Sequence, residues 1–178
     1  MGFLPEGYKI PVTQTQFCKL QDGENKFRIL SEARVGYEYW KGDDNNREVV
    51  RVKTEKEVPS EHLHSVDGRK RARQFWAFII YNYNINAVQL LVITQKTIQK
   101  AIVSLVEDKD WGDPKDYDLM INKSGQELET EYNVQPKPKT ELSDDIKKII
   151  EQTKFNIDGI YENKVFEEGV VEIDDIPF

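Results

Sequence analysis

Short apolar runs rich in β-branched and aromatic residues dominate the first 135 residues, several of them alternating apolar with polar positions as a strand with one face against a core does. Lys26–Ser31 alternates around Phe27 and Ile29. Arg34–Lys41 then carries Val35, Tyr37 and Tyr39 past Gly36, a glycine that predicts one long strand with a bend. Glu48–Lys53 sets Val50 and Val52 on one face and Arg51 and Lys53 on the other, and Gly42-Asp43-Asp44-Asn45-Asn46 supplies the turn before it. Residues 54–72 are polar and charged, a long exposed loop ending in Gly68-Arg69-Lys70-Arg71. Arg73–Tyr83 and Ala87–Ile93 form a hairpin. The period then switches: Ile98, Ala101, Ile102, Leu105 and Val106 share one helical face, with Thr94 or Thr97 placed to cap its start. Tyr117–Asn122 and Leu128–Val134 are two further strands around the turn Lys123-Ser124-Gly125.

This order of strand, strand, strand pair, helix, strand, strand is that of the OB-fold, a mainly β, five-stranded Greek-key barrel with one helix between strands 3 and 4. The hairpin partner would extend strand 3. Periodicity alone also fits an SH3-like barrel or a small sandwich. Pro136-Lys137-Pro138-Lys139 is expected to close this body, residues 1–135, because alternating prolines do not sit in a central strand. Residues 136–166 read as a linker with a short helix, capped by Ser143, with Asp144 and Asp145 in its first turn and Ile146, Ile149 and Ile150 on one face. From Lys154 the pattern dissolves, and residues 167–178, with five acidic and no basic side chains, are expected to form a disordered acidic tail.

Gln74 to Gln95 contains no charged residue, enough to span a bilayer, but Asn82, Asn84 and Asn86 in its middle favour a turn and would be unsatisfied in lipid. A soluble, cytoplasmic protein is expected, with no membrane partner and no secretory signal in MGFLPEGYKIPVTQ. The single cysteine, Cys18, excludes an internal disulfide and a multi-thiolate zinc site.

Charge changes the picture. The 178-residue chain is 38% hydrophobic and 32% charged, with a net charge of −7. Residues 1–140 balance 21 basic against 21 acidic side chains, whereas residues 141–178 hold 4 basic and 11 acidic, so the whole excess is C-terminal. Between Val66 and Val106 the balance is 6 basic to 1 acidic. An acidic tail on a body with a basic region points to an anionic partner.

Signals of catalysis are weak: there is no GxSxG, Walker A or GxGxxG pattern. Asp43, Asp44 and Glu48, and Asp108, Asp110, Asp113 and Asp116, lie in turns where aspartate is expected, and His62 and His64 lack further strong ligands nearby. No enzyme activity, cofactor or metal is expected. The basic and aromatic set says more. Single strands are held by a positive groove with rings on which bases stack. Arg28, Arg51, Lys53, Arg69, Lys70, Arg71 and Arg73 are interleaved with Tyr37, Tyr39, Trp40, Phe75, Trp76, Tyr81 and Tyr83. On the strand from Arg73, the face with Arg73, Phe75, Tyr81 and Tyr83 is the expected wet one. A partner-binding segment is expected at the end of the chain, where Asp174, Asp175, Ile176, Pro177 and Phe178 make a leash with an apolar hook and a terminal carboxylate.

That ending resembles the acidic tip of bacterial single-stranded DNA-binding proteins, although Ile173 stands where the family has the first of three aspartates. The body resembles instead the phage-encoded single-stranded DNA-binding proteins, through Phe3-Leu4-Pro5, Asp22-Gly23-Glu24-Asn25-Lys26-Phe27-Arg28-Ile29-Leu30, Phe75-Trp76-Ala77-Phe78 and Trp111-Gly112-Asp113-Pro114. The similarity covers about residues 1–135 and the last five; the Gly- or Gln-rich linker of the bacterial family is absent. The resemblance implies an OB-fold, cooperative coating of single-stranded DNA with self-association on it, and recruitment of replication, recombination or repair proteins through the tip. Two other readings stay open: a β-barrel protein–protein adaptor, and a metal-dependent nuclease using the loop aspartates.

Overall fold

A computed structural model describes Phe3 and residues 16–42, 45–63 and 72–166. Within them run strands β1 (Gly23–Ile29), β2 (Arg34–Lys41) and β3 (Glu48–Val52), a four-residue helix α1 (Ser60–Leu63), β4 (Arg73–Asn82), β5 (Ala87–Ile93), helix α2 (Lys96–Glu107), β6 (Tyr117–Ser124), β7 (Glu131–Lys139) and helix α3 (Asp144–Gln152). A short 3₁₀ helix, Ile157–Glu162, follows. The protein is mainly β, and all seven strands belong to one antiparallel sheet in the order β3-β2-β4-β1-β6-β7, with β5 on the other edge of β4. Among the described residues no pairing returns β7 to β3 or β5, so the hydrogen-bonded path is open. No described helix is long and apolar enough to cross a membrane.

The bend expected at Gly36 lies elsewhere. β1 and β2 run end to end along one side of β4: Ile29 is opposite Ile80, and Arg34 opposite Ala77. The break falls at residues 30–33, where Ser31 Oγ accepts the Ile79 N–H at 2.9 Å in place of a ladder carbonyl. Gly36 instead permits close approach. A Cβ there would overlap the Val52 carbonyl oxygen and stand 3.0 Å from Cε1 of the buried Phe75 ring. Gly36→Ala is therefore expected to cost about 1–3 kcal/mol by overpacking, read as a lower urea midpoint with an unchanged slope.

Two apolar clusters lie on the two faces of β4 and β5. On one side Phe78, Ile80, Leu91 and Ile93 meet Phe27, Ile29, Tyr117, Leu119 and Ile121, with Ile98 and Ile102 of α2 packed among them. Ile98, Ile102 and Leu105 of the predicted α2 stripe pack on the core, whereas Val106 is exposed, and neither threonine caps the helix: Gln95 is the N-cap and its side chain makes no capping bond. On the other side Phe75, Ala77, Ile79, Tyr81, Val88 and Leu90 meet Ile157, Ile160, Val165 and Phe166. Both faces of β4 are thus buried, and an uncharged run is what such a strand requires. The face expected to be wet is covered by the C-terminal chain.

Residues 136–166 therefore differ from the expected linker. β7 continues through Pro136 and Pro138 to Lys139, because as an edge strand it pairs with β6 alone and needs donors on one side only; a register shift at Tyr117/Leu119 accommodates it. α3 forms as predicted, with Ser143 Oγ accepting the Ile146 N–H at 3.3 Å, and Ile146, Ile149 and Ile150 pack on the second cluster. Beyond Lys154, where no period is visible, Phe155 bridges Phe166 and the loop between them wedges Ile157 and Ile160 against β4.

Cys18 is buried beside β5, its N–H donating to the Leu90 carbonyl at 2.8 Å. Burial pushes its thiol from 9.0 up to about 11, against a smaller opposite pull from the Asn82 amide. A thiol raised in this way contributes stability that is fully present below its unfolded value and lost as pH rises toward the folded one. The urea midpoint should fall between pH 9 and 11, and less steeply in Cys18→Ala. At pH 8 a disulfide reagent should label Cys18 only after denaturation.

Candidate nucleic-acid interface

The candidate side chains fall into three groups by where the strands point them. The first is interior. Arg28 is 3% exposed, and its Nε donates to Asp118 Oδ1 at 2.7 Å, with further bonds to the carbonyls of Lys115 and Thr140 at 3.3 and 2.9 Å. Arg51, 4% exposed, pairs with Glu38 at 3.1 Å, donates to Asn163 Oδ1 at 3.0 Å and lies over the Phe75 ring. Phe75 and Tyr81 sit in the second cluster, and Tyr39 is stacked on His62 with ring centroids 4.7 Å apart. The sequence placed these five on a binding surface. The structure commits them to the core, because the C-terminal chain and residues 58–63 cover the sheet there.

The second group is half-buried and already engaged. Tyr83 donates to Asp118 Oδ1 at 2.8 Å, stands edge-on to Tyr81 and carries Lys26 Nζ over its ring at 4.8 Å. Burial, then the Asp118 acceptor, holds its phenol well above the ordinary value. Trp76 packs on the first cluster and lines a groove of about 420 Å³ beside Val103 and Val106 of α2.

The third group, half-buried aromatic rings beside exposed cations, lies on the β2–β3 ribbon and its neighbours. In a pleated pair, residues two apart share a face, so Trp40 and Lys53 project on the side of Arg51, whereas Tyr37 projects on the other. Trp40 is half-buried, with the Arg47 guanidinium 5.3 Å from its ring. Lys53 is exposed, with Nζ 5.3 Å from the ring of Tyr161. Arg34 bonds Asp158 at 2.5 Å next to them, and Tyr161 donates its hydroxyl to the Val35 carbonyl at 2.8 Å. That ion pair holds the Asp158 carboxyl below its usual range, chiefly through the hydrogen bond from Arg34. Arg73 is exposed at the start of β4.

Arg47, Tyr161 and Arg34 were not singled out by the sequence. Arg47 follows a turn with no period, and Tyr161 lies 108 residues beyond Lys53, in a stretch without periodicity; only the sheet register and the returning chain bring them beside Trp40 and Lys53. Arg69, Lys70, Arg71 and the Asp174–Phe178 tip lie outside the described residues.

The aspartates of the loop before β6 serve the turn itself: Asp108 Oδ1 accepts the Asp110 N–H at 2.8 Å and Asp113 Oδ1 that of Lys115 at 2.9 Å. Among the described residues no three His, Cys, Asp or Glu side chains gather as a metal site would need. Compared with protein-family models, curated proteins and solved structures, the chain matches none.

Proposed function

We propose that this chain is a non-catalytic, non-sequence-specific single-stranded DNA-binding protein of the OB-fold type, resembling those of phages. It would coat exposed strands in the bacterial cytoplasm and recruit replication or repair proteins through Asp174–Phe178. The observation that carries this reading is the pair of ring–cation contacts, Trp40 with Arg47 on the β2–β3 ribbon and Tyr161, from the 3₁₀ helix beside it, with Lys53. Each offers a flat face for a base and a positive charge for the adjoining phosphate, the two elements a sequence-indifferent strand site combines. If β1 and β2 are halves of one strand and β5 extends β4, the element order is that of a five-stranded OB barrel with its helix after the third strand.

Titration with a poly-dT oligonucleotide should quench tryptophan fluorescence saturably, with affinity falling with salt at about −0.7 log units per phosphate contacted. Trp40→Ala should weaken binding by about 1–3 kcal/mol, the worth of one stacked base. Removing residues 167–178 should tighten binding at low salt and abolish partner recruitment, since the tail's five acidic side chains compete for the same cations. Absence of any salt-dependent binding, by fluorescence and by mobility shift, would overturn the reading. The adaptor reading would then lead, favoured by the groove where Val103 and Val106 are 39% and 48% exposed beside Trp76.

A further inference from the structure

On the Tyr37 side of the ribbon the sheet meets the start of α2, and between them lies a cleft of about 430 Å³. Its walls combine four kinds of group. Tyr37 is half-buried and brings an aromatic ring. Arg73 and Lys96, both exposed, bring positive charge from the start of β4 and the first position of α2. Gln74, Gln95 and Gln99 bring carboxamides. The fourth is backbone: Gln95 spends its side-chain carbonyl on the Thr94 N–H at 3.2 Å, so the first turn of α2 has no side-chain cap and its N–H groups are free to meet an anion.

Gln99 is the telling residue. It is 8% exposed, and its Nε2 is fixed on the Ile93 carbonyl at 3.1 Å, which leaves Oε1 as an acceptor with no bond from the described residues. Among the described residues no buried side-chain polar atom lacks a partner, so this oxygen is open to solvent on the wall of the cleft: the carboxamide is held by its nitrogen and presents its acceptor outward. Glu55 is the one carboxylate among the described lining residues, against two cations.

We propose that this cleft is a subsite for one nucleotide of a bound strand: the base against Tyr37, its polar edge read by the Gln99 carbonyl and the neighbouring amides, and its phosphate near Lys96, Arg73 and the start of α2. The proposal deepens the strand-binding reading and rests on it for the source of the nucleotide. The cleft lies on the opposite side of the β2–β3 ribbon from Trp40 and Lys53, so a strand would pass from stacking on one side to capture of a single base on the other. Glutamine amides can accept from and donate to a base edge, so a site of this kind adds a hydrogen-bonded contribution to the contact that stacking alone does not make.

The test uses the full chain and two probes, thymidine 5′-monophosphate and a poly-dT oligonucleotide. In amide-detected NMR, the mononucleotide should shift the side-chain amide signals of Gln95 and Gln99 saturably. Tyr37→Leu should weaken poly-dT about tenfold while Tyr37→Phe, which keeps the ring, stays near wild type. Lys96→Gln, at an exposed position, should flatten the salt slope by about 0.7. Oligonucleotide binding that Tyr37→Leu and Lys96→Gln leave unaltered, with no amide shift from the mononucleotide, overturns the subsite while strand binding stands. Amide shifts without oligonucleotide binding uphold the subsite and overturn the strand reading. Silence from both probes overturns both.

Discussion

Asp118→Leu is expected to cost about 3–5 kcal/mol of stability, the range for breaking a buried ion pair from one side. The carboxylate is the acceptor on which three groups converge: Arg28 Nε at 2.7 Å, the Tyr83 hydroxyl at 2.8 Å and Lys26 Nζ at 3.9 Å. Arg28 is 3% exposed, so removing its partner leaves a guanidinium in the sheet with two carbonyl acceptors and no opposite charge. Those carbonyls, of Lys115 and Thr140, show what the arginine does: it ties the segments flanking β6 and β7 to β1. The double variant Arg28→Met with Asp118→Leu should recover most of the loss, because an apolar pair of similar volume demands no solvation. Denaturant unfolding of the four proteins gives the coupling directly. A single-variant cost below about 1 kcal/mol would mean that the pair is solvated and its exposure in solution greater than in the structure.

Ile160→Ala should cost about 2–5 kcal/mol, the toll of emptying a fully enclosed aliphatic site. Ile160 is 0% exposed and sits in the apolar cluster with Phe75 and Tyr81, inside a stretch whose sequence predicts no packing. Its neighbours hold the same chain down by polar bonds: Asn163 receives Arg51 at 3.0 Å and donates to the Val49 carbonyl at 3.0 Å, with Tyr161 bonded to Val35. The variant also decides between two surfaces for DNA. If the ribbon of Trp40 and Lys53 is the interface, oligonucleotide affinity well below the melting temperature should stay the same or fall in Ile160→Ala, since the variant can only disturb the neighbouring Tyr161. If affinity rises as the covering chain loosens, the Phe75–Tyr81 face beneath is the binding surface after all.

β1, β2, β3, β6 and both long helices are legible because each is a local period, two for the strands and 3.6 for Ile98-Ile102-Leu105 and for Ile146-Ile149-Ile150; β4 and β5 are legible as an uncharged run, and β7 only as far as Val134. The Ser143 cap is legible for the same reason, since donor and acceptor are three residues apart. The candidate interface was harder to read. Arg28 and Arg51 carry the signature of surface cations, and only the carboxylates that meet them, Asp118 from 90 residues away and Glu38 across a hairpin, make their burial tolerable. Phe75 and Tyr81 carry no sign of whether their face meets water or chain.

By itself, then, the sequence determined that this protein is mainly β with a helix between β5 and β6, and that its acidity is concentrated after residue 140. Only the tertiary structure decided which aromatic and basic side chains are available to a ligand. The physical reason is that alternation fixes which residues share a face but not what that face packs against. For β4 the answer came from residues 157–166, more than 70 positions further along and lacking any period of their own, whose apolar side chains gain by burial on a strand that has no polar face left to offer.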